Sequence, residues 1–215
     1  MVSSAVRSKQ ATEQPARRLT AERRREQLLI VALELFADRG YTATTMDEIA
    51  EAAGVTKPLL YQHFSSKRAL YLELADSVAH DLLVAIAEAT AKAEGPRQQV
   101  EVGFTAYFDL AVTREPAFRL LFGRDHAADE ELGEALRKVE DAIAEAIDPL
   151  IDAGLDDDHR RLLAYAVVGM AEGAMRHWLS GRDRSGGDGA AGEAERLARR
   201  LADLAWAGLR SVHAD

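Results

Sequence analysis

The sequence predicts an all-α fold: a small N-terminal domain of three helices and a larger C-terminal helical body, about nine helices in all. Three observations carry that expectation. Alanine, the best helix former, fills 40 of the 215 positions, and proline only 5. Apolar residues recur at spacings of three and four in one segment after another, and no stretch alternates as a half-buried strand would. Glycines and prolines mostly punctuate these segments, and no internal repeat is present.

Residues 1–18 lack apolar periodicity, carry Arg7, Lys9, Arg17 and Arg18, and read as a disordered basic tail. From Thr20 the pattern is helical, with Leu28, Ala32, Leu35 and Phe36 on one face and Gly40 as the stop. Thr45-Met46-Asp47-Glu48 is a capping box, in which the Thr45 hydroxyl accepts from the Glu48 amide and the Glu48 carboxylate returns to the Thr45 amide. The short helix it opens presents Ile49 and either Ala52 or Ala53 inward and ends at Gly54. Thr56 is placed to cap a second short helix, with Pro58 in the first turn, where a missing N–H costs nothing.

A long helix starts near Lys67, with Leu70, Leu74, Val78 and Leu82 in register, and Gly95-Pro96 ends it. Residues 97–113 bring Val100, Phe104, Tyr107, Phe108 and Ala111 to one side, and Glu115-Pro116 restarts the chain for the turn Phe118 to Phe122. Leu132, Leu136, Val139, Ile143 and Ile147 follow, in a helix that Pro149 disturbs. Residues 157–180 are apolar on most sides and predict a helix buried all round. Gly181 to Gly192 reads as a flexible link, and Leu197, Leu201, Leu204, Leu209 and Val212 make a last amphipathic helix.

The net charge of −9 hides a split. Residues 1–70 hold 11 Lys/Arg against 8 Asp/Glu, whereas residues 71–215 hold 16 against 28, so a basic head sits on an acidic body. There is no cysteine, which excludes a disulfide framework and thiolate chemistry. Apolar runs are too short for a membrane span and the N-terminus has no signal-peptide core, so the expectation is a cytoplasmic protein without a membrane partner.

Two short helices joined at Gly54-Val55 suggest a helix-turn-helix, with Ala50 small at the crossing and Ile49, Val55 and Leu60 as its miniature core. The second helix of such a unit lies in the DNA major groove. The stretch Gln27–Leu72 resembles the TetR family of bacterial transcription regulators. The residues that carry the resemblance are Ala32-Leu33-Glu34-Leu35-Phe36 with Gly40-Tyr41, Thr44-Thr45-Met46-Asp47-Glu48-Ile49-Ala50, Ala53-Gly54-Val55, Leu60-Tyr61-Gln62-His63-Phe64, Ser66-Lys67 and Leu70-Tyr71. The resemblance implies a DNA-binding domain over 19–66, a ligand-binding and dimerisation domain over 67–215, and a homodimer on a two-fold operator.

Within the head, Thr45 would meet a phosphate, and Thr56, Lys57, Pro58, Leu59, Tyr61, Gln62 and His63 would form the recognition helix. Lys57 can donate to guanine and Gln62 can pair with adenine, whereas Pro58 and Leu59 offer only apolar contact. Tyr61, His63 and Lys67 match positions that hold the DNA backbone. Packing is the competing role for Tyr61 and Phe64, and an unremarkable surface position for His63. The basic tail is either a solubilising extension or an arm for a DNA groove. Pro58-Leu59 departs from the small residues usual at this point, which leaves the operator sequence open.

In the body, the resemblance implies a dimer built by the last two long helices, for which Leu162, Ala166, Gly169, Gly173, Leu197, Leu201, Leu204 and Leu209 are the candidates, with core packing within one subunit as the alternative. It also implies a ligand cavity, with Phe104, Tyr107, Phe108, Phe118, Leu121, Phe122, Met170 and Trp178 as candidate lining and Arg119, Glu172, Arg176 and His177 as polar options. Each could equally be ordinary core. Glu115 to Phe122 and Gly169 to Leu179 look like the actinobacterial regulators of fatty-acid synthesis, which answer to long-chain acyl-CoA. Repression is expected over activation, and a regulator of a multidrug or catabolic operon sensing another hydrophobic molecule is the alternative.

An enzyme is the rival class, but the chain has no G-x-S-x-G, phosphate-binding loop or dinucleotide fingerprint. No two histidines stand at i and i+4, so neither metal nor cofactor is expected. Asp156-Asp157-Asp158 fits a helix N-terminus better than a calcium loop. A pure interaction module is a further rival, distinguished by the absence of salt-dependent DNA binding.

Overall fold

The computed structural model describes residues 20–122, 130–151, 154–185 and 190–212. The basic tail of residues 1–18 lies outside them. The described residues form nine α-helices and no strand: α1 (Ala21–Arg39), α2 (Met46–Ala52), α3 (Lys57–His63), α4 (Lys67–Thr90), α5 (Pro96–Thr113), α6 (Glu115–Phe122), α7 (Glu130–Ile147), α8 (Asp157–Ser185) and α9 (Ala190–Leu209). No helix among them is long and apolar enough to cross a membrane.

Local chemistry sets the boundaries. Thr20 caps α1 by accepting from the Arg23 amide at 3.3 Å, and Gly40 ends it at φ 82°. The capping box at Thr45 forms in full. Gly54, at φ 64°, makes the α2–α3 turn, closed by the Val55 amide donating to the Ala50 carbonyl at 2.9 Å. Ser66 caps α4, and Asp156 caps α8 by accepting from the His159 amide at 2.8 Å. Around Pro149 the chain tightens into a 3-10 turn, Asp148–Leu150, as expected of a proline that cannot continue the α-helix.

Two expectations need correction. Thr56 stands at the N-cap of α3 but makes no side-chain cap bond. The link proposed over Gly181–Gly192 is helical at both ends, since α8 runs on to Ser185 and α9 begins at Ala190. Ala and Arg dominate these ends, and isolated glycines do not stop a helix that its neighbours favour. Residues 186–189 lie outside those described.

The apolar side chains divide into two clusters. The head cluster holds Leu28, Ala32 and Phe36 of α1, Ile49 and Ala53 around α2, Leu60 of α3 and Phe64 just after it, and Leu70, Leu74 and Val78 of α4. It also takes in Ala117, Leu120 and Leu121 of α6. The body cluster holds the rest of α4 with α5, α7, α8 and α9, and the other face of α6 through Phe118. Thus α4 and α6 each contribute to both cores. Tyr71 of α4 fastens them together by donating its hydroxyl to the Leu120 carbonyl at 2.7 Å.

Candidate nucleic-acid interface and internal cavity

Helix α3 buries Leu60 and Phe64 in the head core and turns Thr56, Lys57, Pro58, Tyr61 and Gln62 outward. Tyr61 is 44% exposed, a large value for an aromatic side chain, while Leu59 and His63 are half-buried. Phe64, 2% exposed, is a packing residue. Lys57 Nζ donates to Asp47 Oδ1 of α2 at 2.7 Å, and this hydrogen bond raises the lysine's pKa. The exposed face of α3 therefore carries a held cation, a phenol and an amide, the donor types that read phosphates and base edges.

Thr45 is engaged within the head. Its amide and its hydroxyl both donate to Glu48 Oε2 at 2.8 Å, which holds the Glu48 carboxyl below its usual range, and Arg39 Nη1 donates to Oε1 at 3.1 Å. A phosphate reaching Thr45 must displace Glu48. Lys67 is turned inward. Its Nζ donates to the carbonyls of Tyr41 at 2.7 Å and Thr44 at 2.8 Å and lies 4.2 Å from the Tyr41 ring centroid. Partial burial lowers its pKa. The reason is position: the first turn of α4 abuts the α1–α2 turn, whose carbonyls have no helical partner and attract the ammonium.

Sequence reasoning missed two residues of this framework. Arg25 of α1 donates from Nη1 to the His63 carbonyl at 2.8 Å, pairs through Nη2 with Glu73 of α4, and stacks 4.4 Å from the Phe64 ring. Thr44 is fully buried and donates to the Gly40 carbonyl at 2.8 Å. Neither leaves a signal in periodicity, because Arg25 acts across the fold and Thr44 serves an irregular turn between helices.

The body encloses a cavity of about 320 Å³. Helix α4 lines it with Ile86 and Thr90, α5 with Val100, Phe104 and Tyr107, and α6 with Phe122. The far wall comes from Ile143 and Ile147 of α7, Val168 and Glu172 of α8, and Trp206 and Leu209 of α9. Of the candidate lining residues, Phe104, Tyr107 and Phe122 face it. The others do not. Phe108 and Phe118 are fully buried in the body core, Leu121 in the head core, Met170 packs half-buried against the body, and Trp178 is covered by Arg182 at 5.0 Å. One or two positions along a helix rotate a side chain to another face, so the aromatic stretch is split between cavity wall and core. Leu209, a candidate for the dimer seam, also turns into the cavity.

Glu172 is the charged group of the inner wall. Burial and the adjoining Glu140 carboxyl, hydrogen-bonded to it, push its pKa up to about 7 against the opposing pull of Arg176, whose Nη1 lies 3.6 Å away. Of the other polar candidates, Arg119 pairs with Glu115 at 2.8 Å, and Arg176 and His177 are exposed.

Helix α8 is not buried all round, as its composition led one to expect. Leu162, Ala166, Gly169 and Gly173 form an exposed line along it, Leu162 being 65% exposed, and Leu204 of α9 is 60% exposed. Leu197 and Leu201 are half-buried. Nothing lies within 4 Å of where a Cβ would stand on Gly169 or Gly173. Among the described residues no group of three or more His, Cys, Asp or Glu is placed to hold a metal ion.

A helix-turn-helix head with an outward polar helix, set on a helical body with an apolar cavity, defines a one-chain DNA-binding regulator. Residues 28–74 match the tetR family of bacterial regulatory proteins. Over 165 residues the chain is 37% identical to the HTH-type transcriptional activator FasR of Mycolicibacterium smegmatis, which spans 76% of this chain and 75% of that protein. A TetR-like transcriptional regulator from Rhodococcus sp. RHA1 superposes with a TM-score of 0.71 at 25% identity, over 91% of this chain and 100% of that one. FadR of Bacillus subtilis in complex with stearoyl-CoA superposes with a TM-score of 0.72 at 17% identity, over 85% and 98% of the two chains, a likeness of fold alone. The chain belongs to the TetR family, and it is a DNA-binding transcriptional regulator.

Proposed function

We propose that the protein is a homodimeric, ligand-responsive regulator whose α3 helices read a two-fold operator and whose cavity takes a large apolar effector of the long-chain acyl-CoA type. The observation that carries the reading is the cavity itself, apolar on most of its wall and bounded by the two helices, α4 and α6, that also build the head core. A ligand that spreads this wall moves Ile86 and Phe122, and with them the helices that hold Leu74 and Leu121 in the head. Only a ligand with different affinity for the two head spacings shifts DNA binding. The similarity to FasR and the stearoyl-CoA held by the B. subtilis FadR fold support the acyl-CoA class. The exposed line from Leu162 to Gly173 supports the dimer, because glycines with nothing above them allow a second helix to approach closely.

Repression was the expectation from sequence, while FasR is called an activator. A bound dimer blocks polymerase at one operator position and assists it at another, so a promoter–reporter fusion measures the sign directly. The deciding experiment is fluorescence anisotropy on the intergenic DNA flanking the gene, at two salt concentrations, with long-chain acyl-CoA titrated in. Tight, salt-sensitive binding altered by the acyl-CoA is the expected result. Binding indifferent to acyl-CoA but altered by another hydrophobic molecule moves the effector to the multidrug or catabolic class.

A further inference from the structure

The cavity has a direction. Helix α4 runs away from the head and α5 returns toward it, so Thr90 and Pro96 mark the end far from the head, while Tyr107 and Phe122 mark the near end. Pro96 and Arg210 line the cavity and are exposed, so it opens at the far end beside a cation. At the inner end the wall is apolar except for two groups. Glu172 lines the cavity and is 8% exposed. Tyr107 lines it too, and its hydroxyl is buried with no hydrogen-bond partner among the described residues. A buried polar atom without a partner is uncommon, and a group supplied from the cavity would remove the deficit.

We propose that Tyr107 and Glu172 form a polar subsite at the inner end of the cavity that accepts an uncharged hydrogen-bonding group, a hydroxyl or carbonyl on the effector's tail, remote from its anionic end. The proposal rests on the cavity being the effector site and deepens that reading. An anionic amphiphile enters with its charge at the Arg210 opening and its tail inward. The inner wall disfavours a second anion, because burial and the adjoining Glu140 carboxyl raise the Glu172 pKa to about 7, which keeps Glu172 partly protonated near neutrality. A partly protonated carboxyl and a phenol together offer both donors and acceptors, which is what a neutral hydroxyl or carbonyl needs. An unsubstituted tail leaves the Tyr107 hydroxyl without a partner.

The test is calorimetric titration of the full chain with paired acyl-CoAs of equal chain length, one unsubstituted and one carrying a terminal hydroxyl, over a series of lengths. In an apolar pocket the hydroxyl loses its water without compensation and weakens binding by roughly thirtyfold or more. The expected result is that the hydroxylated chain binds at least as tightly as its parent at the length that reaches the inner end. Tyr107→Phe should then weaken the hydroxylated chain about tenfold more than its parent, and melt no lower than the wild type, since the hydroxyl has no partner to lose. Glu172→Met should give the same selective loss. If the parent binds and the hydroxylated chain is rejected at every length, or if both variants weaken the two chains equally, the subsite is overturned while the effector cavity stands. If neither chain binds, the acyl-CoA reading falls and this proposal falls with it.

Discussion

The ammonium of Lys67 donates to two carbonyls of the α1–α2 turn and faces the Tyr41 ring, so Lys67→Met should loosen the head by about 1–2 kcal/mol, read as a lower melting temperature. A phosphate contact would instead reduce the salt dependence of DNA binding by about one unit of slope with little change in stability. The sequence could not separate these roles, because both need a lysine at the start of α4. Tyr61→Ala is the contrasting case. The side chain is exposed and outward, so the variant should melt like the wild type and lose about tenfold in operator affinity by anisotropy. Glu172 allows a test by pH. Its folded-state pKa of about 7 stands above the ordinary 4.5, so between these values the folded chain holds more proton than the unfolded one and loses stability as pH rises. Glu172→Gln removes that dependence. The variant should gain on the wild type from about pH 5 to about pH 8, by on the order of 1 kcal/mol after screening by solvent and Arg176, in thermal melts across that range.

Among the elements, most helix starts were legible, although Thr56 makes no side-chain cap bond and the ends around residues 181–192 were misjudged. Thr20, Thr45, Ser66 and Asp156 cap their own helices through neighbours three residues away, and such short-range bonds depend on local sequence alone. Helix α8 was legible as a helix, while its surroundings were left between a dimer seam and the protomer's own core, because an apolar stripe looks the same whether it meets its own core or another chain. If α8 is a seam, Gly169→Leu should abolish the dimer mass in light scattering while the protomer keeps its helicity. Leucine even favours the helix by about 0.8 kcal/mol over glycine, and nothing in the protomer blocks its Cβ. A dimer that survives this change would remove α8 from the interface. Helix α6 carried no mark of its role. Its eight residues face two cores, and Glu115 at its start is gripped by Arg182 of α8 at 2.9 Å as well as by Arg119, which makes it a bridge between the cavity wall and the head.

For the whole molecule, the coupling between effector and operator is a single free energy and acts in both directions. If acyl-CoA changes operator affinity by a given factor, saturating operator DNA should change the acyl-CoA dissociation constant by the same factor in calorimetry. Unequal factors would mean that a third state, such as a dissociated dimer, takes part.

The sequence by itself determined the helices, the capping box at Thr45, the helix-turn-helix with Leu60 inward, and the resemblance of the head to its family, because these depend on periodicity and on contacts a few residues apart. Tertiary structure decided which aromatics line the cavity and which fill the core, that Leu209 faces inward, that Lys67 and Arg25 brace the head, and that Glu172 meets Glu140 across two helices. Those outcomes depend on the rotation and crossing of packed helices, which are set by many weak contacts between distant segments and are written in no single stretch of the chain.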